Sequence, residues 1–310
     1  MKEYLIGTGG WAYFQIPNLH PLQAYSKAFN FVEVNSTFYE VPPPRRVEKW
    51  RKIVPKGFQF TVRAHKAITH TNRLKPTSET LEIFGKIRKI CGVLKAEIIH
   101  LQTPPSLKME QASIKNLEDL ISTISLGKVR IALETRGIQP SKLPSELIET
   151  MQEHNMIHCV DLAKGEIPAY ETDILYSRLF GKGPHNIYQP TDQELKEIDT
   201  KASNRNVKKA VLSFHFIKMY KDAARLKTYK QTGKFPTITK STGLTSLEQI
   251  LREDAQFPAK KQELIQSQGW KIFDLTPEKR IHARDVLQKL PEKTYNNLNE
   301  AIVASESIMR

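Results

Sequence analysis

A glutamate stands inside a run that otherwise reads as a buried strand, Phe31-Val32-Glu33-Val34, and Asn35-Ser36-Thr37-Phe38-Tyr39 follows it. A carboxylate taken out of water is costly unless it meets a cation, a hydrogen-bond donor or a ligand. The same arrangement recurs along the chain. Arg63 and His65 follow an apolar run over 58–62, and Gln102 follows 97–101. Glu134 and Arg136 follow 128–133, Asp161 follows 156–160, Arg178 lies near the end of 174–179, and His215 follows 207–214. Trp11 comes just after the first run, 4–7.

Three classes of chemistry suit this set. In the leading one, metal-dependent phosphodiester hydrolysis on nucleic acid, Glu134, Asp161, His65 and His215 hold a divalent metal that activates water, with Glu33 as a further catalytic carboxylate. Arg63, Arg136 and Arg178 then clamp phosphate, Trp11, Phe38 and Tyr39 stack on a base, and Asn35 and Gln102 add polar contacts. Magnesium or manganese is expected rather than zinc, because neither a His-x-x-x-His spacing within one helix nor a Cys-x-x-Cys knuckle occurs. In the second class no metal takes part, and Glu33 and Glu134 act as acid and base on a small sugar-like or phosphorylated substrate. In the third the protein is a non-enzymatic nucleic-acid or protein adaptor. No nucleotide cofactor is expected, since Gly7-Thr8-Gly9-Gly10 does not have the spacing of a dinucleotide fingerprint.

Strand-like and helix-like segments alternate to position these residues. Helices are predicted over 22–29, 45–53, 78–90, 110–125, 144–155, 191–203 and 219–229. Thr191 with Glu194 three residues on reads as a capping box. Eight strand–helix units in about 230 residues have the size and rhythm of a (β/α)8 TIM barrel, an α/β fold whose reactive face is the C-terminal end of its strands. All of the polar residues above fall there.

Length and charge bound the rest. The chain has 310 residues and a formal net charge of +14. Residues 231–310 hold 12 Lys+Arg and 10 Asp+Glu, which leaves 35 against 23, or +12, on the barrel. That balance favours nucleic acid or another phosphate-bearing partner. No apolar run is long enough to span a bilayer, no signal peptide opens the chain, and Cys91 and Cys159 read as buried thiols of a reducing cytoplasm.

Gly7-Thr8-Gly9-Gly10-Trp11-Ala12-Tyr13, Glu33 to Tyr39, Ile68-Thr69-His70, Gln102-Thr103-Pro104-Pro105, Glu134-Thr135-Arg136 and Arg178-Leu179-Phe180-Gly181 resemble, in order, the motifs of the YecE-like barrel family (domain of unknown function 72). The resemblance implies the barrel and a rim site, but no reaction. It also brings His70 into the expected catalytic set, in a loop. Tyr188, in the loop after the seventh strand where barrels often bind phosphate, joins the substrate contacts. The family usually has serine at Gly9 and lysine at Arg63. Its Arg-Leu-His-Gly reads Arg-Leu-Phe-Gly here, and its Phe-Asn-Asn reads Phe214-His215-Phe216. A histidine thus leaves one strand end and appears at the next, which suggests a compensating shift.

The expected domains are a barrel over 1–232, a linker over 233–246 rich in Thr, Pro and Gly, and a small helical module over 247–310. Short helices are predicted at 247–252, 259–266, 281–290 and 297–304. Phe257 to Ile265 and Leu290 to Tyr295 resemble a small module, domain of unknown function 2795.

Overall fold

The computed structural model describes residues 2–309. Eight strands appear in the expected order: β1 (Glu3–Thr8), β2 (Phe31–Val34), β3 (Gln59–Arg63), β4 (Ile98–Thr103), β5 (Arg130–Thr135), β6 (Ile157–His158), β7 (Ile174–Leu179) and β8 (Lys209–Phe214). Helices α1 (Pro21–Ala28), α2 (Pro44–Lys52), α3 (Ser78–Leu94), α4 (Gln111–Thr123), α5 (Ser145–Glu153), α6 (Asp192–Ser203) and α7 (Met219–Thr232) lie in the connections or follow β8. The strands are parallel, in the order β6-β5-β4-β3-β2-β1-β8-β7. A bridge from Val160 to Ser177 joins the two outer strands and closes the ring. The fold is a TIM-like α/β barrel.

Local chemistry explains most boundaries. β2 and β4 are buried along their whole length, as strands of a parallel sheet must be. Pro44 starts α2, where its missing N–H costs nothing. Thr77 caps α3 by accepting from Thr80 N, and Lys95 ends it in the left-handed conformation. β6 is shorter than the five residues expected. Its chain leaves the ladder with β5 at Cys159, Val160 pairs with β7, and Asp161 then caps a tight turn over Leu162–Lys164.

Alternate residues point into the barrel. Leu5, Phe31, Ile98, Ala132, Ile157, Cys159, Tyr176 and Val211 form one interior apolar cluster. Two residues further along their strands the same face offers Gly7, Glu33, His100, Glu134, Arg178 and Ser213. The strand period therefore delivers charge to the C-terminal side of an apolar plug.

By compactness the chain divides into two units. One runs to Leu179 and adds Ala202–His215, and so holds all eight strands. The other is Phe180–Lys201 with Phe216 onward, which takes in most of α6, all of α7 and the C-terminal segment. The bounds expected from sequence grouped these elements by chain order instead. In the second unit the capping box forms as expected: Thr191 N donates to Glu194 Oε2 at 2.9 Å, and Glu194 N to Thr191 Oγ1 at 3.2 Å.

Four further helices follow, α8 (Gly243–Arg252), α9 (Lys261–Gln268), α10 (Arg284–Leu287) and α11 (Leu298–Met309), around a core that includes Leu247, Leu251, Phe273, Leu287 and Tyr295. Two features depart from an all-helical module. β10 (Ile272–Asp274) pairs antiparallel with β11 (Arg280–His282), and β9 (Ala259–Lys260) with β12 (Thr294–Tyr295). The helix expected over 281–290 is one turn long because residues 280–282 are held as strand. Of the expected linker, residues 243–246 already form the first turn of α8.

Candidate functional site

Glu33 is the centre of a side-chain network built from the ends of the strands. Its carboxylate is fully buried and accepts from Arg178 Nε at 3.0 and 3.2 Å, from Arg178 Nη2 at 3.0 Å and from Tyr176 Oη at 2.8 Å. Thr61 Oγ1 lies 2.8 Å from the same tyrosine hydroxyl. The other end of the Arg178 guanidinium reaches Glu134 Oε2 at 2.6 Å and Gln102 Oε1 at 2.9 Å. Gln102 Oε1 also accepts from Arg63 Nη2 at 2.8 Å, while Arg63 Nη1 donates to Asn35 Oδ1 at 2.7 Å. Arg136 Nε donates to the second oxygen of Glu134 at 2.8 Å. Every link runs from side chain to side chain, across five of the eight strands and the residues just beyond their ends.

The charges hold one another in place. Burial, the largest single influence, raises both carboxyl pKa values, but Arg178 together with the surrounding histidines and arginines outweighs it and keeps Glu33 and Glu134 well below the usual carboxylate range. Neither is a proton donor at neutral pH, which speaks against the acid role expected for one of them, and both carboxylates are held as charges against Arg178. Burial, and then the Arg178 charge, depress His100 to about 4 and His215 to about 3, so both imidazoles are neutral. His100 Nε2 lies 3.0 Å from Glu134 Oε2 but out of hydrogen-bond alignment, and neither of its ring nitrogens has a hydrogen-bond partner.

Two glycines of the first motif make room for this network. A Cβ on Gly7 would stand 2.1 Å from Phe31 O, where β1 and β2 approach closely and Tyr25 Oη donates to that same carbonyl at 2.8 Å. A Cβ on Gly9 would stand 2.1 Å from Cε1 of His215. The imidazole therefore occupies the space a side chain at position 9 would need. Its Nε2 lies 3.1 Å from Ser213 Oγ and 3.5 Å from Glu33 Oε1. A size exchange between positions 9 and 215 thus accounts for two of the departures noted in the sequence.

Above the network is a cationic lip. Arg63 Cζ sits 3.6 Å over the centroid of the Phe38 ring, and His70 packs edge-on to that ring at 5.0 Å. Tyr39 packs on Phe38 at the same spacing and is itself 65% exposed. Thr37 Oγ1 fixes the turn by lying 2.7 Å from Val34 O and 2.6 Å from Arg63 O, donating to this pair of carbonyls. Burial and then the neighbouring charges, Arg178 first, lower Arg63 to about 10, which leaves it a cation at neutral pH; its Nε has no partner. His70 sits in a π-helical turn over Ala67–Thr71. Partial burial, and then Arg63 and Arg136, lower its pKa, so it is a neutral imidazole beside two guanidinium groups.

Other expected residues serve local structure. Asp161 Oδ1 accepts from Ala163 N at 3.0 Å as a turn cap. His65 Nδ1 accepts from Ala67 N, and its Nε2 lies 3.2 Å from Tyr39 O. Trp11 is half-buried edge-on against Trp50 at 5.1 Å. Tyr188 belongs to the second unit, where its hydroxyl donates to both oxygens of Glu194. The four residues expected to share a metal do not gather. Among the described residues, the one group of three metal-capable donors within 4.8 Å of one another is His100, Glu134 and Cys159. That trio does not fit a divalent cation either, because Arg178 Nη1 already lies against Glu134 Oε2 at 2.6 Å. His100 and Tyr176 are not among the residues expected from sequence, yet each lies two residues before one that is, Gln102 and Arg178, on the same strand face.

The family model described as Protein of unknown function DUF72 matches residues 5–236. The UPF0759 protein YunF of Bacillus subtilis (strain 168) is 28% identical over 182 residues, 53% of this chain and 63% of that protein, so the match spans less than two thirds of the relative. A solved DUF72 family protein from Thermotoga maritima superposes with a TM-score of 0.60 at 23% identity, over 74% of this chain and 99% of the other. One from Enterococcus faecalis gives 0.60 at 17% identity, over 74% and 94%. At these identities the likeness speaks to the fold alone.

Proposed function

Since the chain belongs to the DUF72 family of proteins of unknown function, its activity has to be read from its own rim, and we propose that the rim binds a phosphate-bearing ligand, nucleic acid foremost, and hydrolyses its phosphodiester with His70 as general base. The observation that carries this reading is the His70 imidazole packed edge-on to the Phe38 ring that Arg63 covers, with the charges of Arg63 and Arg136 helping to keep it neutral. A proton acceptor and anion-binding groups share one lip there, above a network that fixes their geometry. The +12 carried by residues 1–230 and the exposed ring of Tyr39 favour a polyanion with bases to stack.

The chemistry needs no metal. Thr69 Oγ1 lies 2.8 Å from His70 Nδ1; with that nitrogen donating, Nε2 keeps its lone pair toward the substrate. His70 takes a proton from water as the water oxygen bonds to phosphorus. Arg63 and Arg136 meet the charge that grows on the phosphoryl oxygens. The P–O ester bond then breaks, and the imidazolium returns its proton to the leaving oxygen. The Glu33–Arg178–Glu134 group takes no part in proton transfer; it holds Gln102, and through it Arg63, in one orientation.

The test is cleavage of labelled single-stranded DNA, double-stranded DNA and RNA after exhaustive chelation. Turnover persists without metal and falls on the order of a hundredfold in His70→Ala. Cleavage abolished by chelator would return the chain to the metal-dependent class. Salt-sensitive binding without turnover would make the lip a binding module only.

A further inference from the structure

The second unit contains a cleft that the rim chemistry does not use. It has a volume of about 560 Å3 and opens between the start of α6, the turn after α7 and the loop joining β10 to β11. Three exposed lysines from these three segments line it, Lys196, Lys234 and Lys279. Among the described residues no carboxylate lies within ion-pair distance of any of them. Asp192, on the wall, is already neutralised by two buried guanidinium groups, Arg225 at 2.7 Å and Arg280 at 2.5 Å. Glu278 is the remaining carboxylate of the lining. The wall also carries a half-buried aromatic ring, Phe235, backed by Tyr229 in a parallel stack at 4.4 Å.

We propose that this cleft is a second anion site, which takes a phosphate ester the size of a mononucleotide. Three ammonium groups without carboxylate partners fit a dianionic phosphate, because Lys is a compact point charge that binds phosphate without needing a planar fork. The volume lies in the range of small-molecule sites. A ring held rigid by its stack on Tyr229 offers the planar body of the ligand a pre-ordered face, so little entropy is lost in ordering the wall. The buried Arg225–Asp192–Arg280 arrangement fixes the floor, and the three lysines supply the charge.

The experiment is calorimetric titration of the full chain with AMP, ribose 5-phosphate and adenosine at low ionic strength. AMP binds and adenosine does not. Lys234→Ala combined with Lys279→Ala weakens AMP at least about tenfold, since two charge-assisted contacts are lost. Phe235→Ala weakens AMP but leaves ribose 5-phosphate unchanged. Arg63→Gln with Arg136→Gln, at the rim, leaves AMP affinity in this cleft unchanged. Equal binding of adenosine and AMP would overturn the phosphate assignment, and insensitivity to the paired lysine variant would overturn the location. Loss of AMP binding in the rim variant alone would assign the anion to the rim instead. If Phe235→Ala unfolds the unit, Phe235→Leu with an unchanged unfolding midpoint replaces it.

Discussion

Arg178 and Arg225 are both buried arginines that bridge two carboxylates, but they belong to networks of different construction. Around Arg225, in the second unit, much of the bonding goes to main chain. Arg225 donates to Pro190 O at 2.7 Å, and the neighbouring Asp274 accepts from Ile238 N and Thr239 N at 2.8 Å each. Such a network stitches distant segments of backbone together. Around Arg178, in the barrel, the bonds to Glu33, Gln102 and Glu134 all go to side chains, delivered from three other strands. The strands are already held by their own ladders, so this second network adds little to the topology. A buried ion pair is in any case weak support for stability. Convergence of side chains from several strand ends is why the proposed site is placed over the barrel network, whereas the Arg225 network reads as a staple.

The largest expected effect breaks the barrel network. Arg178→Met leaves Glu33 and Glu134 buried opposite no cation from that position, and unfolding by urea should show a loss of about 3–5 kcal/mol. Arg225→Met should cost less, because Asp192 keeps Arg280 and Asp222 can take up a proton.

The two networks should also respond to pH with opposite signs. Burial depresses His100 to about 4, so the folded barrel binds fewer protons than the unfolded chain between about 4 and 6.5, and stability falls as pH drops through that window. Burial raises Asp222 to about 6, so the folded second unit holds a proton the unfolded chain has lost, and stability falls as pH rises from 3.8 to about 6. Each contributes at most about 1.4 kcal/mol per pH unit. Denaturant midpoints from pH 4 to 7 should show a shallower rising component in His100→Gln, with His215 and the depressed carboxylates supplying the remainder, and should lose their falling component in Asp222→Asn.

Much of this was legible in the residues. Period-two alternation and Pro/Gly punctuation located all eight strands, and the polar residues that close the apolar runs stand at or just beyond the C-terminal ends of those strands. What escaped was depth and partnership. Sequence places Glu33, Glu134 and Asp161 alike as carboxylates at strand ends, yet only the fold separates two arginine-locked charges from a turn cap. The residues expected to hold a metal were chosen by type, and donor type says nothing about which lone pairs are already taken. The β10–β11 hairpin was missed because its strands are three residues each, too short for alternation to register against a helical reading.

Smaller effects sharpen the picture at the edges of the network. Gly9→Ala should cost about 1–3 kcal/mol by driving a methyl group into His215, and adding His215→Ala should recover most of that loss in the same unfolding assay. Arg136→Gln, at the half-exposed lip, should leave stability nearly unchanged while lowering oligonucleotide affinity and flattening its salt dependence. Smallest of all, Lys86→Ala removes an exposed pair with Glu82 and should change stability by less than about 0.5 kcal/mol.

The most direct measurement follows the His70 imidazole by NMR while pH is varied, with and without a short single-stranded oligonucleotide. In the free protein His70 should titrate below its ordinary value of 6.5, because partial burial, and then Arg63 and Arg136, oppose its protonation. Bound phosphate neutralises those charges, so the titration should move upward on binding, and His70→Ala should abolish turnover while leaving the oligonucleotide bound. An unchanged titration under saturating oligonucleotide would contradict a phosphate site at this lip.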